Sequence, residues 1–164
     1  MSDKSVSYWS DTRQGLRAVE LRAAGFEPSE AVNTNAVVTI ANAYTNAHRC
    51  NNRVRRIADL LVDAVASKGG QGLLVGAPAV SDALTQGTVN AGYSLASRDL
   101  MADCMETGHY AHHGNGMIVV SGCDKTGAAA LMPLARTNAF GLVVYPGTSS
   151  PGRVDFEPWA SKGN

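Results

Sequence analysis

The amino-acid sequence predicts an α/β fold, with a mostly parallel sheet flanked by helices. Short apolar runs rich in β-branched residues alternate with longer segments whose apolar residues recur at helical spacing. The strand-like runs are apolar throughout, which is typical of strands buried on both faces of a parallel sheet. With 164 residues, 45% of them hydrophobic, the chain is long enough for one domain with its own core. We predict that domain over residues 1–152 and an irregular tail over 153–164.

The first half of the chain predicts two helices and a buried strand between them. Residues 15–24 are good helix formers, and Gly25 follows them as a helix-ending residue. The apolar run 36–41 predicts a strand that leads into a polar loop. Residues 54–65 place valine, isoleucine and leucine on one stripe at helical period, and Gly69 ends that helix.

The second half predicts three more strands, separated by a long loop and two helices. The strands are expected at 72–75, 117–120 and 141–145. The loop 76–88 is rich in small residues, and loops of this length inside a compact domain are more often functional than idle. Ser97 is predicted to cap the helix that precedes the middle strand of these three.

A turn with three reactive side chains in succession follows the strand at 117–120. Cys123 offers a thiol, Asp124 a carboxylate and Lys125 an amine, and Thr126 is placed to cap the next helix. Because consecutive residues on such a turn point in different directions, Cys123 and Asp124 can serve two different metal centres. The carboxyl ends of parallel strands lie along one edge of a sheet, where crevices form. The other polar residues that follow strands, and that we expect at this edge, are Cys50, Asp82 and the run Thr148-Ser149-Ser150.

Composition excludes several classes of function. The net charge is zero and the isoelectric point is near 6.9, so nothing favours binding to nucleic acid or to an anionic membrane. No apolar run is long enough to cross a bilayer, and the polar start argues against export. Three cysteines without CxxC spacing do not form a disulfide framework, so we expect a cytoplasmic protein with free thiols.

Several residues have a structural reading that we prefer to a functional one. Cys104 lies on the apolar stripe of a helix and is expected to be a packed core thiol. The histidines at 109, 112 and 113 are expected to form the polar end of a helix rather than a zinc site. The arginines at 53, 55 and 56 are expected to form a solvated face rather than a phosphate site.

Three blocks carry a family resemblance. They are Ser81-Asp82-Ala83 within 80–87, Ser97-Arg98-Asp99 within 93–103, and Gly122-Cys123-Asp124-Lys125-Thr126. In order and spacing they resemble the dihydroxy-acid dehydratase/phosphogluconate dehydratase family. The segment Tyr145-Pro146-Gly147-Thr148 is similar to the family's glycine loop, and Cys50-Asn51 is similar to its Pro-Cys-Asn segment, with Arg49 in place of the proline. The resemblance covers roughly residues 10–152.

The resemblance implies a role for five residues. Cys50 and Cys123 would be thiolate ligands of an iron–sulfur cluster, of either the 2Fe–2S or the 4Fe–4S type. Asp82 and Asp124 would be oxygen ligands of Mg²⁺, and Lys125 would join them after carbamylation. An amine reacts with carbon dioxide only when it is unprotonated, so we expect burial in the site to lower the pKa of Lys125.

The implied function is that of a hydro-lyase which converts a 2,3-dihydroxy carboxylic acid into a 2-keto acid, as in branched-chain amino-acid biosynthesis. Family members are several times longer, so the chain is interpreted as an incomplete amino-terminal domain of a larger dehydratase. A third cluster cysteine, a further carboxylate and a serine base would lie outside it, and no catalytic residue is assigned. We expect a homodimer, or association with the missing carboxy-terminal part. A sugar-acid (aldonate) dehydratase segment and a non-catalytic, metal-free α/β module stay open as alternatives.

Overall fold

The structure, a computed structural model, describes residues 11–27 and 36–147. Its strands are β1 Val37–Asn42, β2 Gln71–Gly76, β3 Gly116–Val120 and β4 Phe140–Val144. Its α-helices are α1 Asp11–Ala23, α2 Val54–Ser67, α3 Asp82–Thr85, α4 Tyr93–Ala111 and α5 Asp124–Thr137. A 3-10 helix spans Val89–Gly92. The four strands form one sheet in the order β2-β1-β3-β4, and every neighbouring pair is parallel.

The predicted parallel sheet and its alternation of strands and helices are confirmed, whereas the predicted start of α4 is wrong. We expected Ser97 to cap this helix, but α4 begins at Tyr93 and Ser97 is buried within it. The 3-10 helix leads directly into α4, so the first turn of α4 needs no new cap at residue 97. The Ser97 hydroxyl instead donates a hydrogen bond to the carbonyl oxygen of Ser94 at 2.9 Å. The predicted long loop also contains α3.

The helices divide the core into two clusters, one on each face of the sheet. Successive residues of a strand point to opposite faces, so Ile40 and Ala41 of β1 enter different clusters. Beneath α2 the buried residues are Ile40, Val54, Ala58 and Val120. Beneath α4 and α5 they are Ala41, Ala43, Ala77, Met101, Met105, Met117, Val119, Ala129 and Ala130. Methionine and alanine dominate the second cluster, which lets these helices approach the sheet closely.

The chain leaves β1 and β3 toward opposite faces of the sheet. After β1 it enters α2 on one face and returns as β2, and after β3 it enters α5 on the other face and returns as β4. Because β1 and β3 are direct neighbours, the direction of winding reverses between them, and open α/β sheets form crevices at the carboxyl edge at such a point. This switch point is where open α/β sheets bind ligands.

Within the described residues, β4 is an outer strand of the sheet and is poorly covered. Phe140 exposes 91% and Leu142 56% of its surface. Leu142 pairs with Ile118 of β3, so both side chains lie on the face of the sheet that carries α2. Helix α2 packs over the other three strands and leaves this face of β4 open.

The predicted tail, residues 153–164, lies outside the described residues, as do residues 148–152 of the predicted domain. Between residues 11 and 147, as far as the structure describes them, no helix has both the length and the apolar character needed to cross a membrane.

Candidate functional site

The loops that follow β1 and β3 meet through Asn51 and Gly122. Asn51 is 1% exposed, and its Nδ2 donates a hydrogen bond to the carbonyl oxygen of Ala43 at 2.6 Å. Its side chain lies so close to Gly122 that a Cβ atom there would be 2.3 Å from Asn51 Cγ. Only glycine leaves room for this approach. The contact places Cys50 and Cys123, the sequence neighbours of these two residues, on adjoining loops.

Cys50 and Cys123, which we predicted as thiolate ligands, are both half-buried and lie outside the two core clusters. The backbone N–H of Cys50 donates a hydrogen bond to Nδ1 of His48 at 3.0 Å. Cys123 is the N-cap residue of α5. Cys104, by contrast, packs against the core cluster beneath α4, which confirms its prediction as a packed thiol.

The three predicted magnesium-site residues come together in one cluster. Nζ of Lys125 donates a hydrogen bond to Oδ2 of Asp82 at 2.6 Å and lies 3.7 Å from Oδ2 of Asp124. Asp82 reaches this cluster from the loop that follows β2, because α3 begins there. The Asp82 side chain is 41% exposed, and ion pairs of such exposure contribute about 0–1 kcal/mol to stability. A role in stability is therefore a weak explanation for the cluster.

The pKa of Lys125 departs from our expectation. The hydrogen bond to Asp82 raises the pKa of Lys125, and the charge of Asp124 acts in the same direction. The same hydrogen bond lowers the pKa of Asp82. The neighbouring carboxylates outweigh burial, so the amine is held in its protonated form rather than in the form that carbamylation needs.

Hydrogen bonds fix the turn between β3 and α5. Burial raises the pKa of the Cys123 thiol, although a helix N-terminus by itself favours the thiolate. A hydrogen bond from Cys123 lowers the pKa of Asp124, whose Oδ1 also accepts from the backbone N–H of Lys125 at 2.9 Å. Thr126 lies in the first turn of α5, where its hydroxyl accepts from the N–H of Gly122 at 2.7 Å and donates to the carbonyl of Cys123 at 2.9 Å.

The donor types fit the two inorganic centres that the resemblance implies, but they are fewer than either centre needs. Two thiols on adjoining loops suit iron, and two carboxylates beside one amine suit Mg²⁺. Two buried polar atoms next to these donors, Nε2 of His48 and Oδ1 of Asn51, have no hydrogen-bond partner in the described part of the chain. In that same part, no three His, Cys, Asp or Glu side chains are grouped closely enough to hold a metal ion.

Sequence reasoning missed His48 and gave Asn51 no role. Asn51 belongs to the Cys50-Asn51 segment that resembles the family, so a signal for it was present. His48 is 6% exposed, and its Nε2 lies 3.5 Å from Oδ1 of Asp82. No sequence pattern brings these two residues together, because they follow different strands.

The other side chains considered from sequence take structural positions. His109 is buried, and its Nδ1 lies 3.0 Å from Oγ1 of Thr39 in a hydrogen bond between α4 and β1. It therefore faces the sheet instead of joining an exposed histidine group at the helix end. Arg55 is exposed and pairs with Asp59 one turn further along α2, as expected for a solvated face.

The fold and the site define a class of protein, namely a doubly wound parallel α/β domain with polar side chains gathered at the carboxyl edge of its sheet. A sequence model described as "Dihydroxy-acid/6-phosphogluconate dehydratase N-terminal" matches residues 35–162. The chain belongs to this dehydratase family, and the match covers the family's amino-terminal part.

Curated proteins named dihydroxy-acid dehydratase are similar to most of this chain. Dihydroxy-acid dehydratase 1 of Cupriavidus pinatubonensis is 40% identical over 116 residues, which is 71% of this chain. Dihydroxy-acid dehydratase 3 of Bordetella bronchiseptica is 36% identical over 124 residues, or 76% of this chain. The dihydroxy-acid dehydratase of Polynucleobacter necessarius is 38% identical over 130 residues, or 79% of this chain. The chain spans 21% to 23% of the length of these curated relatives.

Proposed function

We propose that the chain is the amino-terminal segment of a hydro-lyase that converts a 2,3-dihydroxy carboxylic acid into a 2-keto acid. One observation carries the proposal: the segments that contain Asn51, Asp82 and Gly122, which resemble the family, meet at the carboxyl edge of the sheet. Lys125 contacts Asp82 there at 2.6 Å, and Asn51 lies against Gly122. The names of the relatives favour a dihydroxy acid over a sugar acid as the substrate.

In this proposal, Cys50 and Cys123 are thiolate ligands of an iron–sulfur cluster, and Asp82, Asp124 and carbamylated Lys125 are ligands of Mg²⁺. When bound, these groups supply Lewis-acid stabilisation of the departing hydroxyl and of the other substrate oxygens. Lys125 becomes a ligand only after its ammonium group loses a proton and its contact with Asp82 opens. While the contact between Lys125 and Asp82 opens, Asn51 and Gly122 keep the two thiol-bearing loops in contact.

The overall reaction is a loss of water without net oxidation. C2 of the substrate gives up its hydrogen as a proton, C3 gives up its hydroxyl, and the resulting enol rearranges to the 2-keto acid. The resemblance assigns the base to a serine outside this chain. Activity would therefore require the remaining part of the enzyme, and we expect it in the reducing cytoplasm, where thiolate ligands stay free.

The test is anaerobic purification of the chain together with the remaining part of the enzyme, which would supply the third cluster ligand, followed by iron and acid-labile sulfide analysis. We expect brown protein that contains both elements, and we expect Cys50→Ser and Cys123→Ser to lose them. Cys104→Ala is the matched control and should keep them, because Cys104 packs into the core. Equal iron content in all four proteins would contradict the assignment of the thiolates.

A non-catalytic, metal-free module is the alternative, and the ion pairs of the cluster favour it. The ammonium of Lys125 lies close to both carboxylates and neutralises one of their two charges without a metal. A folded wild-type protein that stays colourless and free of iron with the remaining part of the enzyme present would support this alternative.

A further inference from the structure

His48 is a buried imidazole that lies between the two halves of the proposed site. Its ring belongs to the loop after β1, and it is 6% exposed. Its Nδ1 accepts a hydrogen bond from the backbone N–H of Cys50 at 3.0 Å. A backbone N–H can only donate, so Nδ1 carries no proton, and in the neutral ring the proton is on Nε2. The Cys50 backbone thus fixes the tautomer of His48.

The protonated nitrogen of His48 lies beside Asp82. Nε2 is 3.5 Å from Oδ1 of Asp82, longer than an ordinary hydrogen bond, and it has no hydrogen-bond partner within the described residues. The other carboxylate oxygen of Asp82, Oδ2, is bound by Lys125 at 2.6 Å. A buried donor left without a partner costs free energy. A small movement of Asp82 toward His48 would remove this cost.

We propose that His48 is a positioning residue: when the carboxylate of Asp82 moves toward it, Nε2–H donates to Oδ1 and leaves Oδ2 presented to the site. The role of Asp82 as a metal ligand rests on the proposed function, whereas the contact between His48 and Asp82 does not. Carboxylates that bind metals are themselves oriented by hydrogen bonds from neighbouring groups. His48 joins the backbone of Cys50 to Asp82, so it couples the loop that bears the thiol to the carboxylate.

The simpler reading is that His48 only braces its own loop through the Cys50 N–H. Two substitutions distinguish this reading from the proposal, because each replaces one ring nitrogen by an amide group and removes the other. His48→Asn places an amide oxygen where Nδ1 was and leaves nothing at Nε2. His48→Gln places an amide N–H near the position of Nε2 and removes the acceptor at Nδ1.

The first experiment is a long-range proton–nitrogen NMR spectrum of the His48 ring in the chain without added metal. We expect an unprotonated Nδ1 and a protonated Nε2, and we expect Asp82→Asn to shift the Nε2 signal. Asp59→Asn is the matched control, because Asp59 pairs with Arg55 on the exposed face of α2. A protonated Nδ1, or an Nε2 signal that Asp82→Asn leaves unchanged, would overturn the proposal.

The second experiment is calorimetric titration of the wild-type chain and both His48 variants with MgCl₂. We expect His48→Asn to weaken Mg²⁺ binding by about 10- to 100-fold, the usual cost of losing a group that orients a metal ligand. His48→Gln should retain most of the wild-type affinity. The reverse order of the two variants would overturn the proposal. If the wild-type chain binds Mg²⁺ only when the remaining part of the enzyme is present, the titration is made on that complex; if the complex binds none either, the proposed function fails at the metal, and the NMR spectra decide whether His48 orients Asp82.

Discussion

At the scale of single residues, the site combines side chains that sequence reasoning could find with contacts that it could not. Cys123, Asp124 and Lys125 follow a clear strand and carry recognisable chemistry, so they could be predicted. The approach of Asn51 to Gly122 could not be predicted, because it joins loops that follow different strands. Gly122 indicates a turn in the sequence, and only the structure shows that its missing side chain makes room for Asn51.

Replacing Gly122 by alanine is expected to destabilise the chain by about 1–3 kcal/mol, the usual cost of overpacking. The new methyl group would lie 2.3 Å from Asn51 Cγ, and the hydrogen bond to Ala43 keeps Asn51 from moving aside. Gly127→Ala is the matched control, because a Cβ there meets no atom within 4 Å. Gly127 lies inside α5, so alanine should stabilise the chain by about 0.5–1 kcal/mol. Urea unfolding measures both changes, and a shift in the same direction for both variants would contradict the prediction.

At the scale of elements, α4 contacts β1 through a polar pair as well as through apolar packing. His109 of α4 and Thr39 of β1 are both buried and hydrogen-bonded to each other. The sequence predicted α4 and placed His109 at its polar end, because histidine near a helix C-terminus is favoured by the helix dipole. Helical period alone did not show which of the three histidines turns toward the sheet.

Stability is expected to fall as the pH is lowered through the range in which histidine titrates. Burial lowers the pKa of His109 in the folded chain, whereas the unfolded chain has the ordinary value of about 6.5. Below that value the unfolded state binds more protons than the folded state, so the free energy of unfolding decreases until the pH is below the folded pKa as well. Urea unfolding at about pH 7.5 and about pH 5.5 measures the loss.

His109→Gln should lose less stability than the wild type over the same interval, because it has no imidazole to protonate. His112→Gln is the control, since His112 is exposed at the end of α4. An equal pH dependence in the wild type and in His109→Gln would show that His109 does not carry the effect.

At the scale of the whole molecule, local patterns predicted the class of fold but not the order of the strands. Apolar runs alternating with amphipathic segments indicated a parallel sheet, and the four strands are parallel. The order β2-β1-β3-β4 depends on which face each crossover covers, and this is decided by packing between residues far apart in the chain. The meeting of the loops after β1 and β3 follows from that order, so the sequence indicated ligand-type residues without showing which of them meet.

The open face beside β4 is expected to make copies of the chain associate at high concentration. Apolar outer strands without a cover are sites of edge-to-edge association, and lysine on such a strand opposes it. Phe140→Lys combined with Leu142→Lys should therefore raise the concentration at which light scattering appears. The melting temperature should change little, because both side chains are largely exposed. Leu131→Lys, at 60% exposure on α5, is the control. An equal effect of this substitution would show that the change in net charge alone is responsible.

The contact between Asn51 and Gly122 also sets an order of events during maturation. Asn51 follows β1 and Gly122 follows β3, so the contact between their loops forms only after β3 has joined the sheet beside β1. A nascent chain that has completed β1 alone has no such contact. On the proposed function, Cys50 and Cys123 are therefore available together to bind iron only once the polypeptide has emerged beyond β3.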